Sequence, residues 1–179
     1  GGEGAPLAVY GDYFLFSKKG ENRIMLNMGG IANFTYLPST CNPEEVFVTD
    51  TGTGNTLIDA FTRLHYPAKS YDKDAEIAKT GTVNSSLLKA LKANEFFLTP
   101  FPKTTGPELF NIDYVTKAQT QSKTTHLSIP DLLATLTRFS AETIAEAIQS
   151  TIAKSVDSAE KFTIYMSGGG AHNPLLVDG

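Results

Sequence analysis

Cys41 is the one cysteine in this 179-residue chain, so no internal disulfide can form, which fits a reducing cytosol. Histidine is almost as scarce. His65, His126 and His172 are not spaced as metal ligands and no cysteine cluster accompanies them, which argues against a structural zinc. Basic residues are few: 15 Lys and Arg, scattered, stand against 19 Asp and Glu, and the net charge of −4 offers no nucleic-acid surface. No apolar run approaches the ~20 residues needed to cross a bilayer, and the opening residues lack the pattern of a secretory leader. A cytoplasmic location is therefore expected, with neither nucleic acid nor membrane as a partner. The Asn-x-Thr at Asn33 and the Asn-x-Ser at Asn84 are read as chance matches to glycosylation acceptors. No GxxxxGK[ST] occurs, which excludes a P-loop, and the chain has no repeat and no low-complexity stretch.

What is present is an ordinary globular composition, 41% hydrophobic and 19% charged, in a length that suits one domain. Residues 7–16 predict an apolar strand or strand-turn. Arg23 to Asn27, Phe34 to Leu37 and Val46 to Thr49 are short, β-prone runs separated by Gly, Pro and Asn, which predicts an antiparallel meander of three strands turning first at Gly29-Gly30. Asn55 to Leu64 has helical spacing in Leu57, Ile58, Phe61 and Leu64. Two short helices follow, over Asp74 to Lys79 and over Asn84 to Ala93, the second capped by Asn84. Residues 94–128 are irregular and rich in Thr, Pro and Lys, and predict a long ordered loop with a short helix. Ser128-Ile129-Pro130-Asp131 signals a helix start with a capping-box-like pairing. Leu132, Leu136, Phe139, Ile144, Ile148 and Ile152 then mark its apolar face. Phe162 to Met166 reads as a buried strand, and Pro174 to Val177 as the start of a further helix. The expected fold class is α/β, an antiparallel meander plus a parallel strand with flanking helices, in a single domain over 1–179 with a helical and loop insert at about 66–128. By analogy this order matches most of a ribonuclease-H-like half-domain, of which actin, Hsp70 and sugar kinases hold two.

Three glycine turns carry the chemistry. In Val48-Thr49-Asp50-Thr51-Gly52-Thr53-Gly54-Asn55 a carboxylate stands at the expected end of a strand, ahead of a turn and a helix. Asp50 there can orient water or a hydroxyl near a phosphate, Gly52 and Gly54 allow close backbone approach, and the helix offers its N-terminus to an anion. The alternative is a capping Asp in a tight turn. Gly29 and Gly30 can donate N–H groups to substrate or phosphate with amide help from Asn27 and Asn33, or form only a hairpin. Gly168, Gly169 and Gly170 can let a flat adenine or ribose lie on the backbone, with Asn173 opening the next helix; the rival is a linker. Lys103 is read as an anion contact or as a solvated loop lysine, and His172 as a surface histidine.

Six ordered blocks resemble the anhydro-N-acetylmuramic acid kinases of bacterial cell-wall recycling. They are Gly1-Gly2-Glu3-Gly4-Ala5-Pro6-Leu7, Leu26-Asn27-Met28-Gly29-Gly30-Ile31-Ala32-Asn33-Phe34-Thr35 and Asp50-Thr51-Gly52-Thr53-Gly54-Asn55, then Tyr71-Asp72-Lys73-Asp74, Pro102-Lys103-Thr104-Thr105-Gly106 and Gly168-Gly169-Gly170-Ala171-His172-Asn173-Pro174. The resemblance implies an actin-like, two-lobed kinase that uses ATP and Mg²⁺, opens 1,6-anhydro-N-acetylmuramic acid with water and phosphorylates O6. Asp50 stands where the family has the base that activates the water. By the same resemblance Asn27, Gly29, Gly30, Asn33, Thr51, Gly52, Gly54, Asn55 and Lys103 face sugar or phosphate. Gly168, Gly169, Gly170 and Asn173 face the nucleotide, no side chain is assigned to a metal, and a homodimer is implied.

The chain departs from the family pattern at Thr53, where Pro is usual, and at Pro107, where Arg is usual. The family's N-terminal phosphate loop is absent, as is the stretch after the triple glycine. The expectation is therefore a C-terminal lobe trimmed at both ends and inactive by itself. The competing reading is a non-catalytic, actin-like module that binds a sugar or nucleotide.

Overall fold

The computed structural model describes residues 17–68, 76–154 and 161–167. Strand β1 (Glu21–Met28) turns through Gly29-Gly30 into β2 (Ile31–Leu37), and β2 leads through a 3₁₀ turn at Pro43–Glu45 into β3 (Phe47–Thr53). Both pairs are antiparallel, as the alternating β-prone runs predict. β4 (Lys161–Ser167) lies parallel to β1 on its other side, which completes a four-stranded mixed sheet in the order β3-β2-β1-β4. Among the described residues four α-helices accompany it: α1 (Thr56–His65), α2 (Ser85–Leu91), α3 (Ile112–Ser122) and α4 (Ile129–Lys154). This is the α/β, ribonuclease-H-like half-domain arrangement that the element order predicts.

Helix α4 explains why the layers hold together. Its 26 residues run about 39 Å at 1.5 Å each, long enough to serve two cores. The N-terminal half buries Leu132, Leu133, Leu136 and Phe139 among Leu57 and Phe61 of α1, Leu87 and Leu91 of α2 and Val115 of α3. Its C-terminal half lays Ala141, Ile144, Ala147 and Ile148 on Ile24, Leu26, Met28, Ala32 and Phe34 of the sheet. Covered on more than one side, α4 buries far more than the single stripe its apolar spacing marks. Buried threonines fill the remainder, and Thr137, Thr143 and Thr151 return their hydroxyls to carbonyls one turn back, at 2.8–3.0 Å.

Caps fix where the helices begin. Asn84 accepts the Leu87 N–H at 2.9 Å, as expected, and Asn111 does the same for Tyr114 at 3.1 Å. Ser128 receives the Asp131 N–H at 3.3 Å, but the Asp131 carboxylate does not return to Ser128. It accepts the Thr82 N–H instead, at 2.8 Å, and so pins the segment before α2 to α4. The irregular stretch 94–128 contains a 3₁₀ turn at Glu95–Leu98 and the eleven-residue α3, and is organised by rings. Phe96, Phe97, Phe110, Tyr114 and Phe139 meet at centroid distances of 4.9–6.4 Å.

Five expectations need correction or lie, wholly or in part, outside the described residues. β3 does not stop at Thr49 but continues to Thr53, because Gly52 adopts φ +136° and a bulge at Ala32/Asn33 absorbs the extra residue without breaking the ladder. β4 forms as expected, yet Ile164, Tyr165 and Met166 are exposed, since β4 is the edge of the described sheet. Of the helix expected from Asp74 to Lys79, the described part is a 3₁₀ turn at Ala78–Thr80. The strand expected over 7–16 and the helix expected from Pro174 lie outside the described residues.

Phe139 belongs to the ring cluster and is fully buried. Phe139→Ala is expected to cost roughly 3–5 kcal/mol. Urea unfolding followed by circular dichroism measures it, and a loss below about 1 kcal/mol contradicts a core that hinges on α4.

Candidate active site

Asp50 lies inside β3, three residues before its end, and register defines its surroundings. Asp50 pairs with Asn33 of β2, Asn33 with Asn27 of β1, and Asn27 with Ser167 of β4. Residues in register share a face, so Asp50, Asn33, Asn27 and Ser167 form one polar row across all four strands, about 14 Å long at ~4.8 Å per strand. The alternate positions Leu26, Met28 and Phe34 are buried under α4, which puts the polar row on the other face. Asn27 and Ser167 are exposed, whereas Asn33 and Asp50 are half-buried. Ser167 immediately precedes the triple glycine in sequence. Gly168, Gly169, Gly170 and Asn173 themselves lie outside the described residues.

The edge of β3 is closed by the segment around Lys103. The Asp50 N–H donates to the Lys103 carbonyl at 2.9 Å, and the Lys103 N–H donates to the buried Thr49 Oγ1 at 2.9 Å. Two residues on, the Thr105 N–H donates to Asp50 Oδ2 at 2.8 Å and fixes the carboxylate. Burial pushes the Asp50 carboxyl above the usual carboxylate range; the Thr105 N–H opposes that shift, and the nearby Glu108 carboxylate adds to it. An acid so placed holds a proton more readily than a free aspartate, the property a general base requires.

Lys103 is turned inward. Its Nζ donates to the Phe96 carbonyl at 2.5 Å and stands 4.3 Å and 4.5 Å from the ring centroids of Phe96 and Phe101, with Phe97 at 5.9 Å. Burial lowers its pKa. The ammonium therefore acts as a cation–π clasp that anchors the segment holding Asp50.

The two described glycine turns close on each other. The N–H groups of Gly54 and Thr56 donate to the Gly30 carbonyl at 2.8 and 3.0 Å, and that of Asn55 donates to the Gly29 carbonyl at 3.0 Å. These amides are thus engaged with protein carbonyls, and the Asn55 side chain makes no cap bond to α1. Ser140 Oγ reaches out of α4 and donates to the Gly54 carbonyl at 2.7 Å. A β-carbon on Gly54 would lie 2.2 Å from the Gly29 oxygen, so only glycine fits there. Thr51 is buried and donates to the Ala32 carbonyl at 3.3 Å, and Gly52 faces Phe97 and Thr143.

Of the residues picked from sequence, Asp50, Asn33 and Asn27 share the polar face. Gly29, Gly30, Gly54 and Asn55 form the locked turns, while Thr51, Gly52 and Lys103 point into the protein. Sequence reasoning missed Thr105, Ser140, Ser167 and Glu108. Only Ser167 could have been found, by extending the strand pairing to its last residue; the others reach the site through tertiary folding. A separate cleft of about 480 Å³ at the far end of the sheet, lined in part by Asn22, Tyr36, Phe47 and Phe101, contains none of the picked residues. No group of three or more His, Cys, Asp or Glu that could hold a metal occurs among the described residues, and no described helix is long and apolar enough to cross a membrane.

Because Asp50 keeps its proton more readily folded than unfolded, stability falls as pH rises from 3.8, the ordinary carboxylate value, through the raised one. Asn retains an acceptor for the Thr105 N–H and carries no charge. Asp50→Asn is therefore expected to unfold at a higher temperature than the wild type at pH 7, with the difference gone below about pH 3.8. Thermal melts at both pH values check this, and a variant less stable at pH 7 contradicts it.

Comparison with known proteins bears on this geometry. All of residues 1–179 match the family model described as anhydro-N-acetylmuramic acid kinase. The chain is 53% identical over 178 residues to the anhydro-N-acetylmuramic acid kinase of Pseudoalteromonas atlantica, covering 99% of this chain and 43% of that protein. It is 50% identical over 177 residues to the enzyme of that name from Pseudoalteromonas translucida, again with 99% and 43% covered. For the Clostridioides difficile protein of the same name the identity is 38% over 177 residues, covering 99% and 45%. The chain thus spans less than half the length of these relatives. With a match over its whole length, it belongs to the anhydro-N-acetylmuramic acid kinase family.

Proposed function

We propose that this chain forms one lobe of an ATP-dependent kinase that opens 1,6-anhydro-N-acetylmuramic acid with water and phosphorylates O6, in cytoplasmic recycling of peptidoglycan. The observation that carries the reading is the position of Asp50: half-buried, fixed by the Thr105 N–H, and in line with Asn33, Asn27 and Ser167. In this reading Asp50 accepts a proton from water as the water oxygen bonds to the anomeric carbon. The C1–O6 bond breaks, and O6 attacks the γ-phosphorus of ATP as ADP leaves. Asn27 and Asn33 offer amide groups to the sugar hydroxyls along the row.

Gly29, Gly30, Gly52, Gly54, Asn55 and Thr51 serve by setting the shape of the wall beside Asp50, and Lys103 by anchoring its clamp. Gly168, Gly169, Gly170 and Asn173 are assigned to the nucleotide by motif alone. Magnesium that accompanies ATP is held largely by phosphates and water, and no ligand for it is assigned to this chain. The opposing wall, and with it most of the grip on ATP, falls to the remaining length of the relatives.

Two outcomes test the proposal in a coupled ATP assay with the anhydro sugar. In a full-length protein carrying this lobe, Asp50→Ala should lower turnover by about 10²–10⁴. The 179-residue chain alone should show no appreciable turnover. Activity of Asp50→Ala within a few-fold of wild type overturns the assignment.

A further inference from the structure

We propose that Glu108 is a positioning residue for Asp50: folded back over Gly106, its carboxylate pairs with that of Asp50 across the Thr105–Gly106 turn. The inference rests on the reading of Asp50 as the base and extends it to a second acid, which stands 58 positions away in sequence. The geometry has two parts. The Thr105 N–H holds Asp50 Oδ2 at 2.8 Å, which places Asp50 against the start of this turn. Glu108 curls over the other end, its Oε2 lying 2.5 Å from where a β-carbon on Gly106 would stand and its Cδ 3.2 Å from it. The Gly106 carbonyl accepts the N–H groups of Leu109 and Phe110, both at 3.1 Å, which sets the tight bend that brings Glu108 back. Glycine at 106 is what leaves room for the carboxylate.

A negative charge so placed makes removal of the Asp50 proton harder: burial raises the Asp50 pKa most, and the Glu108 charge adds to it. The other charged group on this segment, Lys103, directs its ammonium to the Phe96 carbonyl and the phenylalanine rings. On the neighbouring strand, Asp50 faces the neutral Asn33. Glu108 is exposed, so its influence passes partly through solvent and weakens with salt, whereas the effect of burial does not. The consequence for catalysis is a base kept near its working range by a removable charge rather than by burial alone.

The test is a carboxyl-detected NMR titration of Asp50 in the 179-residue chain, with the Thr105 amide as second reporter. Glu108→Gln is expected to move the Asp50 midpoint to lower pH, and Gly106→Ala to move it the same way by displacing the Glu108 side chain. In 1 M salt, where the Debye length is about 3 Å, wild type and Glu108→Gln should converge. A midpoint unchanged or raised in Glu108→Gln at low salt overturns the proposal, as does a difference that persists in 1 M salt. The kinetic arm separates the two readings. In a full-length protein, Glu108→Gln should shift the acid limb of the kcat/KM profile to lower pH. If the NMR midpoint falls while that limb stays in place, the pairing stands and Asp50 is not the base.

Discussion

Gly54 is the constraint on which the rest of this wall depends. Its N–H is bound by the Gly30 carbonyl and its own carbonyl by Ser140, and a β-carbon would collide with Gly29. One residue thereby ties the β1–β2 turn, the end of β3, the start of α1 and the middle of α4 into a single piece. Asp50 lies four positions upstream, on β3, so its placement inherits that rigidity. The Asp50 carboxylate is held by the Thr105 backbone N–H, and the segment that carries that N–H is held by the buried Thr49 hydroxyl, groups with little rotamer freedom to lose.

The clamp on the other side of Asp50 works by different physics. The segment from Lys103 to Thr105 pairs with the edge of β3 and is anchored by an ammonium set among phenylalanine rings. Those rings are continuous with the cluster around Phe110 and Phe139, which also packs α4. The core that packs α4 and the clamp that holds Asp50 are therefore continuous.

How much of this was legible in sequence follows from which forces are local. The meander, the Asn84 cap and the long α4 were, because alternation, capping and 3.6-residue spacing act over a few residues. The end of β3 was not. Glycine reads as punctuation, yet here Gly52 carries the strand through a bulge, and only the pairing with Ala32 reveals it. Lys103 read as an anion contact or a solvated loop lysine because sequence does not say which way a loop lysine turns; three phenylalanines scattered over 96–101 decide that. The glycine motif marked two turns beside β3, but the N–H groups of Gly54, Asn55 and Thr56 bind the Gly29 and Gly30 carbonyls, a tertiary fact invisible along the chain. Family membership came from ordered motifs, and the comparisons agree over the whole length.

As the proposed base, Asp50 would face the sugar from the polar row, at the anomeric carbon. A crystal structure of a full-length protein carrying this lobe, with the anhydro sugar bound and Asp50→Asn to halt turnover, tests it most directly. A water is expected within about 2.6–3.2 Å of the residue-50 side chain and in line with the anomeric carbon, with the sugar lying beside Asn33 and Asn27. A sugar bound elsewhere, or a residue-50 side chain separated from it by the folded wall, rules out Asp50 as the base.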